Sequence, residues 1–404
     1  MAPVEEQLFV LMSGVEYGDA GLRRAFEGEL RERLEEDRPL RVYLGIDPTA
    51  TSLTLGHAVP LRKLRQFQDF GHEAIFLIGD ITAMIGGDPS DKNALRPQLT
   101  IEDIAINEGT YVEQAARLID PALTVLKHNS EWLSRLDLND LIGLMSKFTV
   151  AEMLSRDNFR KRHQAGDAVY LHEFLYALLQ GYDAYALECD VQVGGTEQLF
   201  NLMAGRKIQE DAGQRKHVPI TMPILVGVDG VLRMSKSTGN FIGLDEAPAD
   251  QYGKAMSIPD SALASYFELA TSLDRAEVAE TVAALARGER DPLAEKKRLA
   301  RTIVTELHGE GVAAEAEAHF EHTVQRREAP DAMAEAIAHD GQALIDVIVA
   351  AGAAPSRREA RRLFGQGAVS VDGEPVTDAR TAAHPGSAVQ VGKRRWLRIK
   401  AAGG

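Results

Sequence analysis

The chain has 404 residues, of which 45% are hydrophobic and 26% are charged. This length exceeds what one compact core organises, so two or three globular domains are expected. No apolar run approaches the roughly 20 residues that span a bilayer, and the acidic start, with Glu5 and Glu6, does not resemble a signal peptide. The lone cysteine, Cys189, excludes an intrachain disulfide and a cysteine-based zinc cluster. These features predict a cytoplasmic protein without a membrane segment.

The net charge of −15 is unevenly distributed along the chain. From residue 341 to the end, 10 Lys and Arg residues face 5 Asp and Glu residues, which gives a local charge of +5. The first 340 residues carry 35 basic and 55 acidic groups, a net −20. A small basic module on a large acidic body indicates a nucleic-acid contact at one end. The alternative is a tail that keeps its Lys and Arg residues for solubility.

The first half of the chain alternates β-like and helix-like segments. Leu40–Ile46 and Glu73–Ile78 are predicted as buried strands, and His57–Phe70 between them has an apolar stripe at helical spacing. This order predicts a right-handed parallel βαβ unit and hence a doubly wound sheet. Thr221–Val226 is predicted as a late strand that leads through the turn Gly227–Gly230 into a basic loop.

The second half changes to a helical pattern and then to a mixed one. We expect a Rossmann-like α/β domain in residues 1–246, a helical domain in 247–325, a linker in 326–340 and a small α+β domain in 341–404. In the last of these, Ala343–Ala351 and Ser356–Gly365 have helical patterns. The Asp372-Gly373 pair is a strong signal for a β-hairpin.

One candidate phosphate-binding segment is Asp47-Pro-Thr-Ala-Thr-Ser-Leu-Thr-Leu-Gly-His57, which joins the first strand to the next helix. The helix start offers unpaired N–H groups and a partial positive charge to phosphate oxygens. Gly56 allows close approach of a base or ribose, and Thr49 and His57 can donate hydrogen bonds to a phosphoryl group. The alternative is a strand–loop–helix corner with a capping histidine.

A second candidate is Arg233-Met-Ser-Lys-Ser237, which follows the first by about 180 residues. Lys236 can place a point charge on a departing pyrophosphate, and Arg233 offers a forked donor. Glycines flank the loop on both sides, so the loop is expected to move and close over a nucleotide. Taken singly, such a loop is more often an ordinary surface feature.

Together these segments resemble the two ATP-handling signatures of the class I aminoacyl-tRNA synthetases. Thr54 stands at the first histidine of the His-x-Gly-His signature, and Arg233 at the first lysine of Lys-Met-Ser-Lys-Ser. A threonine hydroxyl can donate to phosphate but carries no positive charge. The resemblance implies ATP with Mg²⁺ as a substrate and no tightly bound metal. It implies catalytic contacts from Thr49, Thr54, His57, Arg233 and Lys236, and nucleotide contacts from Asp47, Gly56, Gly195, Glu197, Lys236 and Ser237.

Three further stretches bear on the choice of amino acid. Tyr43 ends the first strand, and Tyr176, Gln180 and Asp183 share one helical face at i, i+4 and i+7. The stretch Val193-Gly-Gly-Thr-Glu-Gln198 is a glycine turn followed by polar side chains. Burying a hydroxyl, an amide and a carboxylate is costly without a matching ligand. The alternative is a polar network within the core.

All three stretches are similar to the bacterial-type tyrosyl-tRNA synthetases. That resemblance implies that Tyr43 and Asp183 hold the substrate phenol, and that Tyr176 and Gln180 hold its α-amino group. Asp88 and Gln198 complete the implied substrate site. The segment Gly86-Gly-Asp-Pro-Ser-Asp-Lys92 departs from the family pattern by an additional glycine and by Asp91, and Glu197 stands where aspartate is common. These departures leave the roles of Asp88 and Lys92 open.

The basic end of the chain resembles an S4 RNA-binding domain. Arg357, Arg358, Arg361 and Arg362 recur at helical spacing, beside the Asp-Gly hairpin. Arginine contacts to phosphates provide affinity more than sequence choice. The alternative is a solvated helix face.

The sequence therefore predicts a homodimeric tyrosine–tRNA ligase that acts on L-tyrosine, ATP and tRNA(Tyr). Two alternatives remain open: a tryptophanyl synthetase, and a catalytically silent RNA-binding paralogue. The replacements at Thr54, Arg233 and Glu197 make the second conceivable, although each keeps a donor or a charge.

Overall fold

The computed structural model describes residues 2–88, 99–325, 333–339, 341–392 and 395–402. The chain divides into two compact units, residues 1–309 and residues 310–404. Lys92 lies outside the described residues, as do residues 326–332 of the predicted linker. The predicted domain boundary at residue 246 stays a prediction, since the sheet and the helices up to residue 308 share the first unit.

A parallel five-stranded sheet forms the centre of the first unit, in the order β3-β2-β1-β4-β5. Its strands are β1 (Arg41–Ile46), β2 (Glu73–Ile78), β3 (Thr124–His128), β4 (Val191–Gly195) and β5 (Val218–Met222). The strand order reverses direction between β1 and β4, which pair through Leu44 and Val193. This arrangement confirms the predicted doubly wound fold. Ligands in such sheets bind outside the carboxyl ends of the strands at the reversal point.

Helices surround this sheet and connect its strands. They are α1 (Val4–Leu11), α2 (Ala20–Leu34), α3 (Leu55–Asp69), α4 (Asp80–Met84), α5 (Ile101–Ala115), α6 (Ser130–Leu133), α7 (Leu138–Met145), α8 (Val150–Ser155), α9 (Asp157–Ala165), α10 (Leu171–Ala186), α11 (Leu199–Asp211), α12 (Pro248–Met256), α13 (Leu263–Ala270), α14 (Arg275–Ala286) and α15 (Pro292–His308). Short 3-10 turns occupy Pro121–Leu123, Thr196–Gln198 and Asp260–Ala262.

The α3 helix shows how the apolar pattern fixes this architecture. Its stripe of Val59, Leu61, Leu64 and Phe67 is at most 2% exposed, as expected for a helix packed against a sheet. Gly71 adopts φ = 85° just after the helix, a left-handed conformation that ends it and turns the chain into β2. The helix therefore begins at the carboxyl end of β1, where its N-terminus faces the ligand side of the sheet.

The predicted strand Thr221–Val226 is displaced in the structure. The strand β5 starts at Val218 and ends at Met222. Pro223 follows, and a proline lacks the N–H group that would continue the ladder. Val226 instead forms an isolated bridge with Arg233, so this part of the prediction was wrong by about three residues.

The second unit has a sheet of its own, in the order β6-β10-β9-β7-β8. Its elements are α16 (Glu310–Phe320), a π-helical turn (Glu321–Gln325), β6 (Ala334–Ala338), α17 (Leu344–Ala350), α18 (Arg357–Gly365), β7 (Val369–Val371), β8 (Glu374–Pro375), β9 (Ala388–Val391) and β10 (Arg395–Ala401). The helices α17 and α18 and the strands β7 and β9 match the predicted segments. Asp372 and Gly373 both have positive φ between β7 and β8, as the two-residue hairpin requires.

The predicted linker is wrong in its later part. Residues 334–338 form β6, which pairs in parallel with β10. Ala336 and Ala338 face the core of the second unit and are 3% and 1% exposed. An Ala- and Glu-rich segment has a weak intrinsic preference for strands, so pairing and burial override the local pattern.

Candidate active site

Two cavities lie at the carboxyl ends of β1 and β4. The larger has a volume of about 410 Å³ and is lined, among others, by Thr49, Thr54, Gly56, His57, Gly195, Glu197, Arg233, Lys236 and Ser237. The smaller has a volume of about 210 Å³ and is lined, among others, by Tyr43, Asp47, Asp88, Tyr176, Gln180, Asp183 and Gln198. Thr49, His57, Asp88, Gly195, Glu197 and Gln198 line both. The residues predicted for the nucleotide and for the amino acid therefore meet along a shared wall.

The first signature forms the start of α3, with Thr54 as the N-cap residue. Thr54 is 2% exposed, and its hydroxyl lies 2.9 Å from His57 Nδ1. The Thr54 backbone N–H donates to the same nitrogen at 3.1 Å. A backbone N–H can only donate, so Nδ1 accepts and the proton of the neutral imidazole lies on Nε2. Thr54 thus caps the helix and fixes the tautomer of His57.

The second signature lies across the first. Lys236 Nζ donates a hydrogen bond to the carbonyl of Ser52, within the loop between β1 and α3. The Cβ atom of Met234 lies 3.8 Å from the position that a Cβ on Gly56 would take. The two signatures, about 180 residues apart in sequence, are therefore in direct contact.

Asn240 organises the loop that carries the second signature. Its side-chain oxygen accepts from the Ser235 N–H at 2.9 Å, and its Nδ2 donates to Asp229 at 2.7 Å and to the Arg233 carbonyl at 3.1 Å. Asn240 is 6% exposed. A buried amide bonded to both arms of the loop gives the loop a defined shape.

Asp47 is held between two elements at the smaller cavity. Its Oδ2 accepts from the Tyr176 hydroxyl on α10 at 2.6 Å, and its Oδ1 accepts from the Thr82 hydroxyl on α4 at 2.6 Å. A Cβ on Gly79 would overlap both Asp47 Oδ1 and Thr82 Oγ1, so only glycine fits there. Burial, and next the charge of Asp47, raise the pKa of Tyr176 well above its ordinary value.

Asp183 lies at the bottom of the smaller cavity and is 3% exposed. Trp132 Nε1 donates to its Oδ1 at 2.7 Å, and Asn129 Nδ2 donates to its Oδ2 at 3.4 Å. Burial raises the pKa of Asp183 well above its ordinary value, and these two hydrogen bonds oppose the rise. Burial likewise raises the pKa of the fully buried Tyr43. The Tyr43 hydroxyl lies 3.5 Å from the Gln180 carbonyl.

Asp88 is the centre of a polar network on the shared wall. Arg156 Nη2 donates to its Oδ1 at 2.5 Å, Gln198 Nε2 donates to its Oδ2, and Asn201 Nδ2 lies 3.2 Å from the same oxygen. Asn201 Nδ2 also lies 2.9 Å from Gln180 Oε1. The network therefore joins Asp88 to the helix α10.

Comparison with known proteins assigns the family of the chain. The family model of the class I tRNA synthetases (W and Y) matches residues 35–325, and that of the S4 domain matches residues 344–389. The tyrosine–tRNA ligase of Symbiobacterium thermophilum is 45% identical, with 98% of each chain covered. That of Thermotoga maritima is 45% identical, with 92% of this chain and 93% of its own length covered.

The chain belongs to the class I tRNA synthetases, in the family of the tyrosine–tRNA ligases. Solved structures of this family have the same fold. A truncated mitochondrial tyrosyl-tRNA synthetase of Aspergillus nidulans superposes with a TM-score of 0.62 at 22% identity, covering 81% of this chain and 94% of its own. The tyrosyl-tRNA synthetase of Archaeoglobus fulgidus, complexed with L-tyrosine, gives 0.61 at 22% identity, covering 78% and 100%. The predicted family and fold are thereby confirmed.

Sequence reasoning missed the residues of this synthetase that hold the site from behind. Thr82, Asn129, Trp132, Arg156 and Asn201 all bond to a predicted site residue. They come from α4, from the segment around α6, from the α8–α9 junction and from α11. Only the fold brings them near the cavities. No spacing rule links them to Asp47, Asp88 or Asp183.

The predicted RNA-binding arginines all lie on α18 of the S4 domain and are all exposed. Arg357 bonds to Asp346 and Arg362 to Glu359. Neither Arg358 nor Arg361 has an ion pair or hydrogen bond within the described part of the chain. Ala360 and Phe364, on the opposite face, are 1% exposed and belong to the core of the unit.

Two further properties concern the described residues alone. In that part of the chain, no group of three or more His, Cys, Asp or Glu side chains is arranged to hold a metal ion. No helix there combines the length and the apolarity that a membrane span requires.

Proposed function

We propose that the chain activates L-tyrosine with ATP and transfers the tyrosyl group to the 3′ end of tRNA(Tyr). A carboxylate oxygen of tyrosine attacks the α-phosphate, the bond to the β-phosphate breaks, and pyrophosphate leaves with the electron pair. The tRNA hydroxyl then attacks the acyl carbon of the adenylate and AMP leaves. One observation carries the proposal: both signatures and the polar face of α10 line two cavities with a shared wall.

The smaller cavity suits a phenol at its bottom and an ammonium group near its mouth. Tyr43 and Asp183 would hold the phenol, because both are buried polar groups on the cavity wall. Phenylalanine would leave the Asp183 carboxyl without that partner, and a buried polar group without a partner is costly. This difference would exclude phenylalanine. Trp132 and Asn129 would orient the carboxyl.

The α-ammonium group would bind where acceptor atoms converge. Tyr176, Gln180, Asp88 and Gln198 line the smaller cavity on its shared side. The carboxylate of Asp47 lies 2.6 Å from the Tyr176 hydroxyl and adds negative charge to that side. A cation bound beside these groups gains charge-assisted hydrogen bonds.

ATP would occupy the larger cavity. Thr49, Thr54, His57 and the start of α3 would face the α-phosphate, and Arg233 and Lys236 the departing pyrophosphate. Gly56, Gly195, Glu197 and Ser237 would contact the ribose and base, with Asp47 close by. Mg²⁺ would arrive as the counter-ion of ATP. Catalysis would rest on positioning and on electrostatic stabilisation, since no covalent enzyme intermediate is required.

The remaining parts of the chain would bind tRNA and a second subunit. Residues 247–325 would recognise the anticodon region and residues 341–404 would hold the RNA backbone through the arginines of α18. Leu138, Ile142, Val150 and Leu171 are between 58% and 83% exposed. Such apolar exposure is typical of interaction surfaces and supports the proposed homodimer. The proposed compartment is the cytoplasm, where tRNA and ATP are both present.

Pyrophosphate exchange with ATP tests the proposal. Exchange should depend on tyrosine, and tryptophan or phenylalanine at the same concentration should give little. Exchange with tryptophan alone would favour the tryptophanyl alternative. Retained tRNA binding without any exchange would favour the silent paralogue. Sedimentation of the purified chain tests the dimer, since a monomer at micromolar concentration would exclude it.

A further inference from the structure

Arg156 lies behind the proposed ammonium site, at the junction of α8 and α9. Its side chain is 6% exposed, and its Nη2 donates to Asp88 Oδ1 at 2.5 Å. The guanidinium carbon lies 5.7 Å from the ring centre of Phe159 and 5.8 Å from that of Phe200. Arg156 Nη1 is buried and has no hydrogen-bond partner among the described residues. A guanidinium placed between two rings and one carboxylate is held in a single orientation.

The contact with Arg156 determines how Asp88 is presented. With Oδ1 bonded to Arg156, Oδ2 accepts from Gln198 and Asn201. Asn201 Nδ2 also reaches Gln180 Oε1 at 2.9 Å and Gln198 Oε1 at 2.8 Å. The two hydrogens of that amide are thus shared among three acceptors. Arg156 therefore stands at one end of a network whose other end is Gln180.

Arg156 also balances the charge of this region. The carboxylates of Asp88, Glu197 and Asp47 line one or both cavities, and Arg233 is the other guanidinium acting on Asp88. Glu197 Oε2 is buried and has no hydrogen-bond partner among the described residues. Arg156 is the cation whose charge stabilises the ionised form of Glu197. Without this guanidinium, the buried carboxylates would lose their rigid counter-ion.

We propose that Arg156 is a positioning residue for tyrosine: it orients Asp88, and with it Gln198 and Asn201, so that their acceptors converge on the α-ammonium group. This inference rests on the proposed function. It concerns the binding of one substrate group, so its effect should appear with tyrosine and not with ATP. Arg156 touches neither substrate in this arrangement, since it acts through Asp88.

Arg156→Gln in the full chain is the main test. In pyrophosphate exchange, the KM for tyrosine should rise about tenfold or more, while the KM for ATP and kcat stay within about threefold. Two competitive inhibitors locate the effect on the substrate. The inhibition constant of tyramine, which keeps the amine, should rise about as much as that KM. The constant of 3-(4-hydroxyphenyl)propionate, which lacks the amine, should not change.

The pH dependence gives a reading that a merely structural role would not change. Losing a neighbouring cation raises the pKa of a carboxylate. The acid limb of kcat/KM for tyrosine should therefore move to higher pH in Arg156→Gln. Arg156→Lys keeps the charge and should restore the acid limb, with part of the increase in KM remaining because the fork is lost.

Arg162→Gln is the matched control. Arg162 forms a buried ion pair with Glu173, with side chains 11% and 8% exposed, and neither residue lines the cavities. Both glutamine variants should lose thermal stability, and only Arg156→Gln should change tyramine binding and the acid limb. Equal kinetics in the two variants, or an equal rise in the KM for ATP, would overturn the inference. Absence of tyrosine-dependent exchange in the wild type would instead overturn the proposed function.

Discussion

Thr54 is the clearest departure of the chain from its family, and its hydroxyl has a defined partner. Thr54→Val keeps the shape of the side chain and removes the O–H group 2.9 Å from His57 Nδ1. One hydrogen bond of this kind contributes about 0.5–1.5 kcal/mol, and loss of an N-cap oxygen costs about 1 kcal/mol. The backbone N–H of Thr54 still donates to Nδ1 at 3.1 Å, so the tautomer of His57 should persist.

We expect Thr54→Val to lower the free energy of unfolding by about 1 kcal/mol, and kcat/KM for ATP by about three- to tenfold. Thr54→Ser keeps the oxygen and is the control, which should lose little of either. Urea unfolding and pyrophosphate exchange measure the two quantities. A valine variant with wild-type exchange would show that the hydroxyl does not orient His57. A serine variant as impaired as the valine variant would assign the effect to packing instead.

Three further predictions concern the loop, the RNA and the pH. Lys236→Ala should reduce exchange by about 100-fold or more while equilibrium binding of tyrosine persists, and a fully active variant would refute the pyrophosphate role. The double variant Arg358→Ala/Arg361→Ala should weaken tRNA binding and lower the log–log salt slope by about one per lost phosphate contact, with a smaller change in the ion-paired Arg357→Ala. Burial lowers the pKa of His72 to about 4, so the free energy of unfolding should fall by up to about 3 kcal/mol as the pH drops from about 6.5 to about 4. Comparing urea unfolding of wild type and His72→Gln isolates this effect; parallel pH curves would contradict it.

The fold was predictable where local pattern and tertiary packing agree. The alternation of buried strands with an amphipathic helix gave β1, α3 and β2 nearly to the residue, because the apolar stripe of α3 has no other partner than the sheet. The strand β6 was missed for the opposite reason. Its Ala336 and Ala338 are buried only because β10 lies beside them, and that pairing is invisible in a five-residue window.

The face of α10 shows the same boundary within the site. Spacing alone placed Tyr176, Gln180 and Asp183 on one side of a helix, and the structure brings all three to the smaller cavity. The donors that hold them do not follow from spacing. Trp132 reaches Asp183 because β3 ends beside β2, and Asn201 reaches Gln180 because α11 packs along α10. Such contacts depend on topology, which a single sequence states only indirectly.

The core-polar alternative for α10 turns out to be partly correct, and this bears on how the site selects its ligand. Tyr176 is already bonded to Asp47, and Asp183 to Trp132. The protein thus bears the cost of burying these groups before any substrate arrives, and holds each acceptor in one orientation. A ligand gains only by adding a donor or a cation to that fixed frame. Phenylalanine lacks the first and an amine-free analogue lacks the second, so both should bind weakly for different and separable reasons.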